Sequence, residues 1–178
     1  MLLRRFGIPF ICQSPGTDER TRTNESPGDL VERLAYEKAE YVSNENPQAI
    51  VIGSDQIAVY EGQIVGKPGT HLVATEQLLS FSGRQVEFLT AVSIQCNNTG
   101  FKELHIDSTR VRFRHLQADE IDRYLRAETP YDCAGAFKAE SLGIVLFESI
   151  KSDDPTALIG LPLIRTAAML RRAGLCLP

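Results

Sequence analysis

The sequence predicts an α/β fold, a mixed twisted sheet flanked by helices, on three observations. Helix and strand signals interleave along the chain, hairpin turns join apolar strands, and longer helical segments supply crossovers. At 178 residues the chain suits one domain, residues 1–178, with a core of ordinary size. A composition of 43% hydrophobic and 24% charged residues, with 13 Gly and 9 Pro, lies outside the disordered, collagen-like and coiled-coil classes.

The first helix signal is Ser26-Pro27-Gly28-Asp29: Ser26 can cap, Pro27 suits the first turn, and Asp29 completes a capping-box spacing. Leu34, Ala35, Tyr41 and Val42 keep near-helical spacing up to Asn44-Glu45-Asn46-Pro47. Residues 49–59 read as a buried strand broken by the polar block Gly53-Ser54-Asp55-Gln56, and Glu61-Gly62 turns into a short strand at 63–65. Gly66-Lys67-Pro68-Gly69 is a loop, followed by a helix from His71 to Ser80 that Ser82-Gly83 closes. Strands at 85–95 and 104–115 flank an Asn97-Asn98-Thr99-Gly100 turn. The second sets Val111, Phe113 and His115 on one face and Arg110, Arg112 and Arg114 on the other. A short helix over 117–126, an apolar strand over 143–148, and a final helix from Pro162 to Gly174 complete the order.

A net charge of −4 and a pI near 5.4 give no broad attraction to nucleic acid polymers or to anionic membranes, so a bound phosphate must be held locally. No apolar run approaches the roughly 18 residues needed to cross a bilayer, and the opening residues do not form a signal peptide, so a cytoplasmic protein is expected. Cys12, Cys96, Cys133 and Cys176 are scattered and do not cluster with His71, His105 and His115. This argues against a zinc site or a disulfide framework and for cysteine as a small buried hydrophobe.

Asp55 is the main anomaly: a carboxylate interrupting an apolar strand beside Gly53 and Ser54, where backbone could accept a ligand closely, or else a strand-end cap for a loop. Lys67 stands on a tight turn after that strand, and without a Walker signature it also reads as a surface lysine. Asp18-Glu19, with Lys38 beside Glu37 and Glu40, form either a carboxylate pair for a metal or a solvated charged face. Lys138 and Glu140 lie in the small-residue run Cys133-Ala134-Gly135-Ala136-Phe137-Lys138-Ala139-Glu140, open to a ligand or to a plain turn. No Gly-x-Ser-x-Gly elbow or Cys–His pairing signals a covalent nucleophile.

The runs Glu25-Ser26-Pro27, Arg33-Leu34-Ala35-Tyr36-Glu37-Lys38-Ala39, Val51-Ile52-Gly53-Ser54-Asp55-Gln56, Gly66-Lys67-Pro68, Ser82-Gly83, Val111-Arg112-Phe113, Cys133-Ala134-Gly135 and Gly160-Leu161-Pro162-Leu163 resemble the Maf nucleoside-triphosphate pyrophosphatases. The resemblance covers nearly the whole chain and implies an inosine-triphosphatase-like fold with its active-site cleft between two lobes. Gly53-Ser54-Asp55-Gln56, Phe113-Arg114-His115-Leu116 and Phe137-Lys138-Ala139-Glu140 are similar to the subgroup acting on 7-methyl-GTP. The subgroup acting on dTTP and UTP has Thr after the Asp and Gln in the later loop.

The resemblance implies hydrolysis between the α and β phosphates, giving a monophosphate and pyrophosphate, with Mg²⁺ or Mn²⁺ and a homodimeric enzyme. Asp55 would be the general base and a metal contact, with Glu19 a second metal-side carboxylate. Lys38 and Lys67 would neutralise phosphate charge, Lys138 would help bind substrate, and Gln56 and Glu140 would read the base. The family's opening strand and Ser-x-Ser-Pro-x-Arg-Arg phosphate loop find no counterpart here, and Arg4-Arg5 align beyond that loop. The expectation for the 178 residues is therefore an N-terminally truncated domain of weak or absent turnover. The alternatives are a non-catalytic nucleotide-binding remnant and a dTTP/UTP pyrophosphatase.

Overall fold

The computed structural model describes residues 2–177, which divide into two units. Unit 1 holds residues 2–56, 90–107 and 154–177, and unit 2 holds residues 57–89 and 108–153. A 3₁₀ turn over Leu2–Phe6, which carries Arg4 and Arg5, precedes helix α1 (Pro27–Glu45). Then come β1 (Val51–Tyr60), β2 (Gln63–Val65), α2 (His71–Phe81), β3 (Gln85–Cys96) and β4 (Phe101–Phe113). The chain ends through α3 (Ala118–Glu128), β5 (Phe147–Lys151) and α4 (Leu163–Arg172). The α/β fold with a helix-flanked sheet is thus present.

The five strands take the order β2-β1-β3-β4-β5. β1 pairs with β2 and β4 with β5 in antiparallel sense. The contacts Ser54–Ala91 and Gln56–Thr90 climb β1 while descending β3, and Pro47–Asn98, just before β1 and just after β3, continues the same trend, so that pair is antiparallel too. The 97–100 turn makes β3 and β4 a hairpin, so every neighbouring pair is antiparallel rather than of mixed sense.

In unit 1, α1 starts as the capping motif dictates. Ser26 Oγ accepts from the Asp29 amide at 3.1 Å and donates to the Asp29 carboxylate at 2.6 Å. The helix buries Leu30, Val31, Leu34, Ala35 and Ala39. Val92 and Ile94 of β3 pack with Met169 and Leu170 of α4, and Ile50, Ile52 and Leu161 close around them. These four fully buried side chains hold α4 on the sheet mainly by removing apolar area from water.

Unit 2 is built on aromatic rings. Phe113 contacts Phe81, Phe137 and Phe147 with ring centroids 5.2–5.8 Å apart, and Phe88 meets Phe137 at 5.1 Å. Glu61 and Gly62, at φ 49° and 77°, form the left-handed pair that lets β1 turn tightly into β2.

Two of the differences in strand boundaries change where side chains lie. The strand expected over 143–148 is instead a 3₁₀ turn, Leu142–Leu146, with β5 beginning at Phe147. The Lys138 carbonyl accepts from the Ser141 and Gly143 amides, and the Val145 and Leu146 carbonyls accept from Arg114, so these groups are satisfied without a ladder. Ile144 and Val145 are exposed, against the inward role their apolar character suggests. β4 stops at Phe113, so His115 lies outside the strand and is exposed rather than on its buried face.

Candidate active site

Gly53 determines where the polar block of β1 meets α1. A Cβ at Gly53 would lie 2.4 Å from the Ala35 carbonyl oxygen and 2.5 Å from the Ala39 amide nitrogen, so only glycine admits the helix this closely. The close approach expected of a ligand at Gly53 is therefore made by α1 itself. Asp55, two residues along, shares Gly53's side of the strand. Lys38, one residue before Ala39, reaches it: Lys38 Nζ donates to Asp55 Oδ1 at 2.6 Å.

The same ammonium lies 2.6 Å from Glu19 Oε1. Lys38 and Asp55 side chains are only 18% and 14% exposed, whereas Glu19 is 50% exposed. Lys38 is thus withdrawn from solvent, whereas Asp18 and Glu19 stay exposed, so the 18–19/38 group is a solvated charged face only in part. Burial pulls the Lys38 pKa down, but hydrogen bonds to Asp55 and Glu19 outweigh it and raise the value above the usual lysine range. Lys38 is a fixed cation at neutral pH. Its neighbours are occupied elsewhere: Glu37 pairs with Arg33 and Arg22, Glu40 accepts from Tyr36 and Lys102, and Asp18 pairs with Arg20.

Gln56 faces the other side of β1 from Asp55. Its Nε2 lies 2.8 Å from the Ala157 carbonyl, 2.9 Å from Thr90 Oγ1 and 3.2 Å from the Leu158 carbonyl. Two carbonyl acceptors fix which end of the amide carries nitrogen. Ser54 beside it donates to the Ala91 and Gly160 carbonyls. These two polar residues tie the 157–160 turn to β1.

Lys67, Lys138 and Glu140 belong to unit 2. Lys67 is exposed on a loop held at both ends: Gln77 Nε2 donates to the Gly66 carbonyl at 2.9 Å, and the Gly69 amide to the Tyr131 carbonyl at 2.8 Å. Lys138 Nζ donates to the Glu128 carbonyl at 2.9 Å, and Glu140 is exposed. The small-residue run before them admits rings rather than a ligand at Gly135, where a Cβ would stand 3.0 Å from Phe88 Cζ.

Several residues carry more than the sequence disclosed. Arg33 and Glu25 form a forked ion pair beneath the 18–25 segment, of which only the Arg33–Glu37 spacing of four was legible. Asp154, 2% exposed, accepts from the Thr156 amide at 3.0 Å and the Ile164 amide at 2.6 Å. It thereby caps α4, whose own N-cap residue, Pro162, makes no side-chain cap. The turn-rich Ser152-Asp153-Asp154-Pro155-Thr156 was the available signal. His71 joins Tyr131 and Asp122, each at 3.0 Å, so it braces α2 rather than standing alone.

None of the four cysteines is in a disulfide. Cys96 is the buried hydrophobe expected, but Cys12 and Cys176 are exposed, in segments before α1 and after α4 that bury little. Burial pushes the Cys133 thiol up to about 11, which keeps it protonated and a poor nucleophile. Among the described residues no group of three or more His, Cys, Asp or Glu could hold a metal, and no helix is long and apolar enough to cross a membrane.

Fold and site together define an α/β protein with an acidic pair bridged by one half-buried lysine. The chain belongs to the Maf-like protein family, whose family model matches residues 1–173. It is 50% identical over 174 residues to a 7-methyl-GTP pyrophosphatase of Albidiferax ferrireducens, covering 98% of this chain and 87% of the relative. It is 51% identical over 176 residues to the protein of the same name from a Polaromonas species, covering 99% and 80%. The corresponding protein of Pseudomonas syringae pv. tomato is 51% identical over 177 residues, covering 99% and 92%.

Proposed function

We propose that this chain hydrolyses 7-methyl-GTP, or a closely related modified nucleotide, between the α and β phosphates, releasing the monophosphate and pyrophosphate. The observation that carries the reading is the Lys38 ammonium bridging Asp55 and Glu19. The names of relatives near 50% identity support the substrate class.

Asp55 acts as general base, taking the proton of the attacking water, a role worth roughly 10²–10⁴-fold in rate. Its position on β1, set by Gly53 against α1, suits a group that must not move during reaction. Lys38, kept cationic by its two carboxylates, offsets negative charge on the phosphates. Lys67 and Lys138 keep the substrate-binding roles implied by the family resemblance. Glu140 accepts from the guanine N–H edge, and Gln56, with its nitrogen committed to the 157–158 carbonyls, does so through Oε1.

Asp55 and Glu19 also fit a hard divalent cation. Their oxygens come from different segments and flank the Lys38 ammonium, so a divalent cation would be held beside that ammonium and not in its place, and Mg²⁺ is commonly held by one or two carboxylates together with water and substrate phosphates. Mg²⁺ or Mn²⁺ bound there would supply Lewis-acid polarisation of the phosphoryl oxygens. The working form is proposed to be cytoplasmic and a homodimer, and light scattering after size exclusion tests the dimer.

The experiment is pyrophosphate release from 7-methyl-GTP, GTP, dTTP and UTP with Mg²⁺ or Mn²⁺. The expected result is the highest kcat/KM for 7-methyl-GTP. Preference for dTTP and UTP would overturn the substrate, and release of orthophosphate would overturn the bond cleaved.

A further inference from the structure

We infer that Arg33 is a positioning residue: its buried guanidinium holds the 18–25 segment on α1 so that Glu19 meets Lys38 and Asp55. The inference rests on the reading of those carboxylates as cation-holding groups only for its consequence on metal binding. The positioning itself rests on contacts.

The Arg33 side chain is 11% exposed and that of Glu25 is 6% exposed. Nε and Nη2 of Arg33 grip Glu25 as a fork, at 2.5 and 3.0 Å, while Nη1 donates to Glu37 at 3.1 Å. Nη2 also donates to the Arg20 carbonyl at 3.0 Å, which ties the guanidinium to the backbone next to Glu19. Four of the five guanidinium donors are therefore spent on one short segment and its supporting helix.

The far end of the segment is held through the same carboxylate. Glu25 accepts from the Arg22 amide at 2.9 Å, and Arg22 in turn reaches Glu37 at 2.7 Å. Asn24, at φ 60°, makes the turn that brings Glu25 back under Arg22.

Residues 18–24 are all exposed, and the segment borders a recess of about 330 Å³ lined by polar side chains, Arg33 and Glu37 among them. A segment with no apolar side chain driven inward is located by its ion pairs and hydrogen bonds. A forked, desolvated arginine does this where a lysine, a point charge on a flexible stem, does not.

The test compares the parent with Arg33→Lys, with Arg33→Met/Glu25→Gln, which removes both charges together and so leaves no buried carboxylate unpaired, and with Arg33→Ala supplied with free guanidinium. Trypsin cleavage after Arg20 and Arg22, followed by mass spectrometry, reports the segment directly. Mn²⁺ binding, read by electron paramagnetic resonance with the metal alone, reports the consequence.

Cleavage at the two arginines should accelerate about 10-fold or more in the first two variants, the equivalent of one charge-assisted hydrogen bond, with cleavage elsewhere unchanged. Guanidinium should slow it again in Arg33→Ala. Mn²⁺ affinity should fall about 10- to 100-fold, as when groups supporting a metal ligand are lost. Parental cleavage at Arg20 and Arg22 in folded Arg33→Lys and in the double variant would overturn the inference. Failure of the parent to bind Mn²⁺ would instead overturn the cation reading, leaving Arg33 to be decided by cleavage.

Discussion

Gly53 stands so close to Ala35 that a Cβ on the glycine would come within 2.4 Å of the alanine's carbonyl oxygen. This contact sets the distance of α1 from β1, and Lys38 and Asp55 are placed by it, one residue and two residues away along the chain from the packed atoms. The acid–lysine pair is thus a product of backbone packing as much as of charge.

Gly53→Ala should therefore act on stability and activity together. Overpacking of this kind typically costs about 1–3 kcal/mol, because backbone rather than a flexible side chain must give way. Urea denaturation would measure the loss, and pyrophosphate release should fall as Lys38 and Asp55 separate. Parental stability in the variant would show that the helix can withdraw freely.

A second expectation concerns acid. The Arg33 fork and the Arg22 amide hold the Glu25 carboxyl well below the usual glutamate range, at about 2. A depressed acid stabilises the fold above its ordinary titration range, and that contribution is lost as pH falls towards about 2. The stability gap between the parent and Glu25→Gln should therefore be largest near neutral pH and shrink steadily as pH falls from about 5 to 2. A gap independent of pH would contradict the pairing.

Asp154→Ala tests the capping of α4. It strips acceptors from the Thr156 and Ile164 amides and a favourable charge from the helix start, and leaving buried donors unpaired costs about 1–3 kcal/mol. Thermal or urea unfolding should register that loss, and a variant as stable as the parent would show the amides rehydrate at no cost.

Much of the fold was legible because its signals are local. Ser26-Pro27-Gly28-Asp29 caps α1, and the Glu61-Gly62 turn joins β1 to β2, from contacts a few residues apart. The apolar run at 143–147 misled because its carbonyls are satisfied by Arg114, a partner some 30 residues away that no periodicity reveals. Gly53 was legible as a point of close approach but not what approaches, since helix and ligand alike need the missing Cβ. The Glu25–Arg33 pair stayed hidden because it requires the segment before α1 to fold back along it.

Base choice is tested at Glu140, which is exposed and open to a ligand's N–H groups. Glu140→Gln should lower kcat/KM for 7-methyl-GTP about 10- to 100-fold, as loss of a hydrogen bond to a charged group does, with a smaller change for dTTP and UTP. An equal fall for all nucleotides would assign Glu140 to phosphate binding or to structure.

The most direct test of the account is the rate of pyrophosphate release from 7-methyl-GTP by the parent and by Asp55→Asn, with Mg²⁺ or Mn²⁺ present and folding checked by circular dichroism. An amide cannot take the water's proton, so the variant should lose roughly 10²-fold or more in kcat while remaining folded. Turnover in Asp55→Asn equal to a measurable parental rate would contradict the assignment of Asp55 as the base.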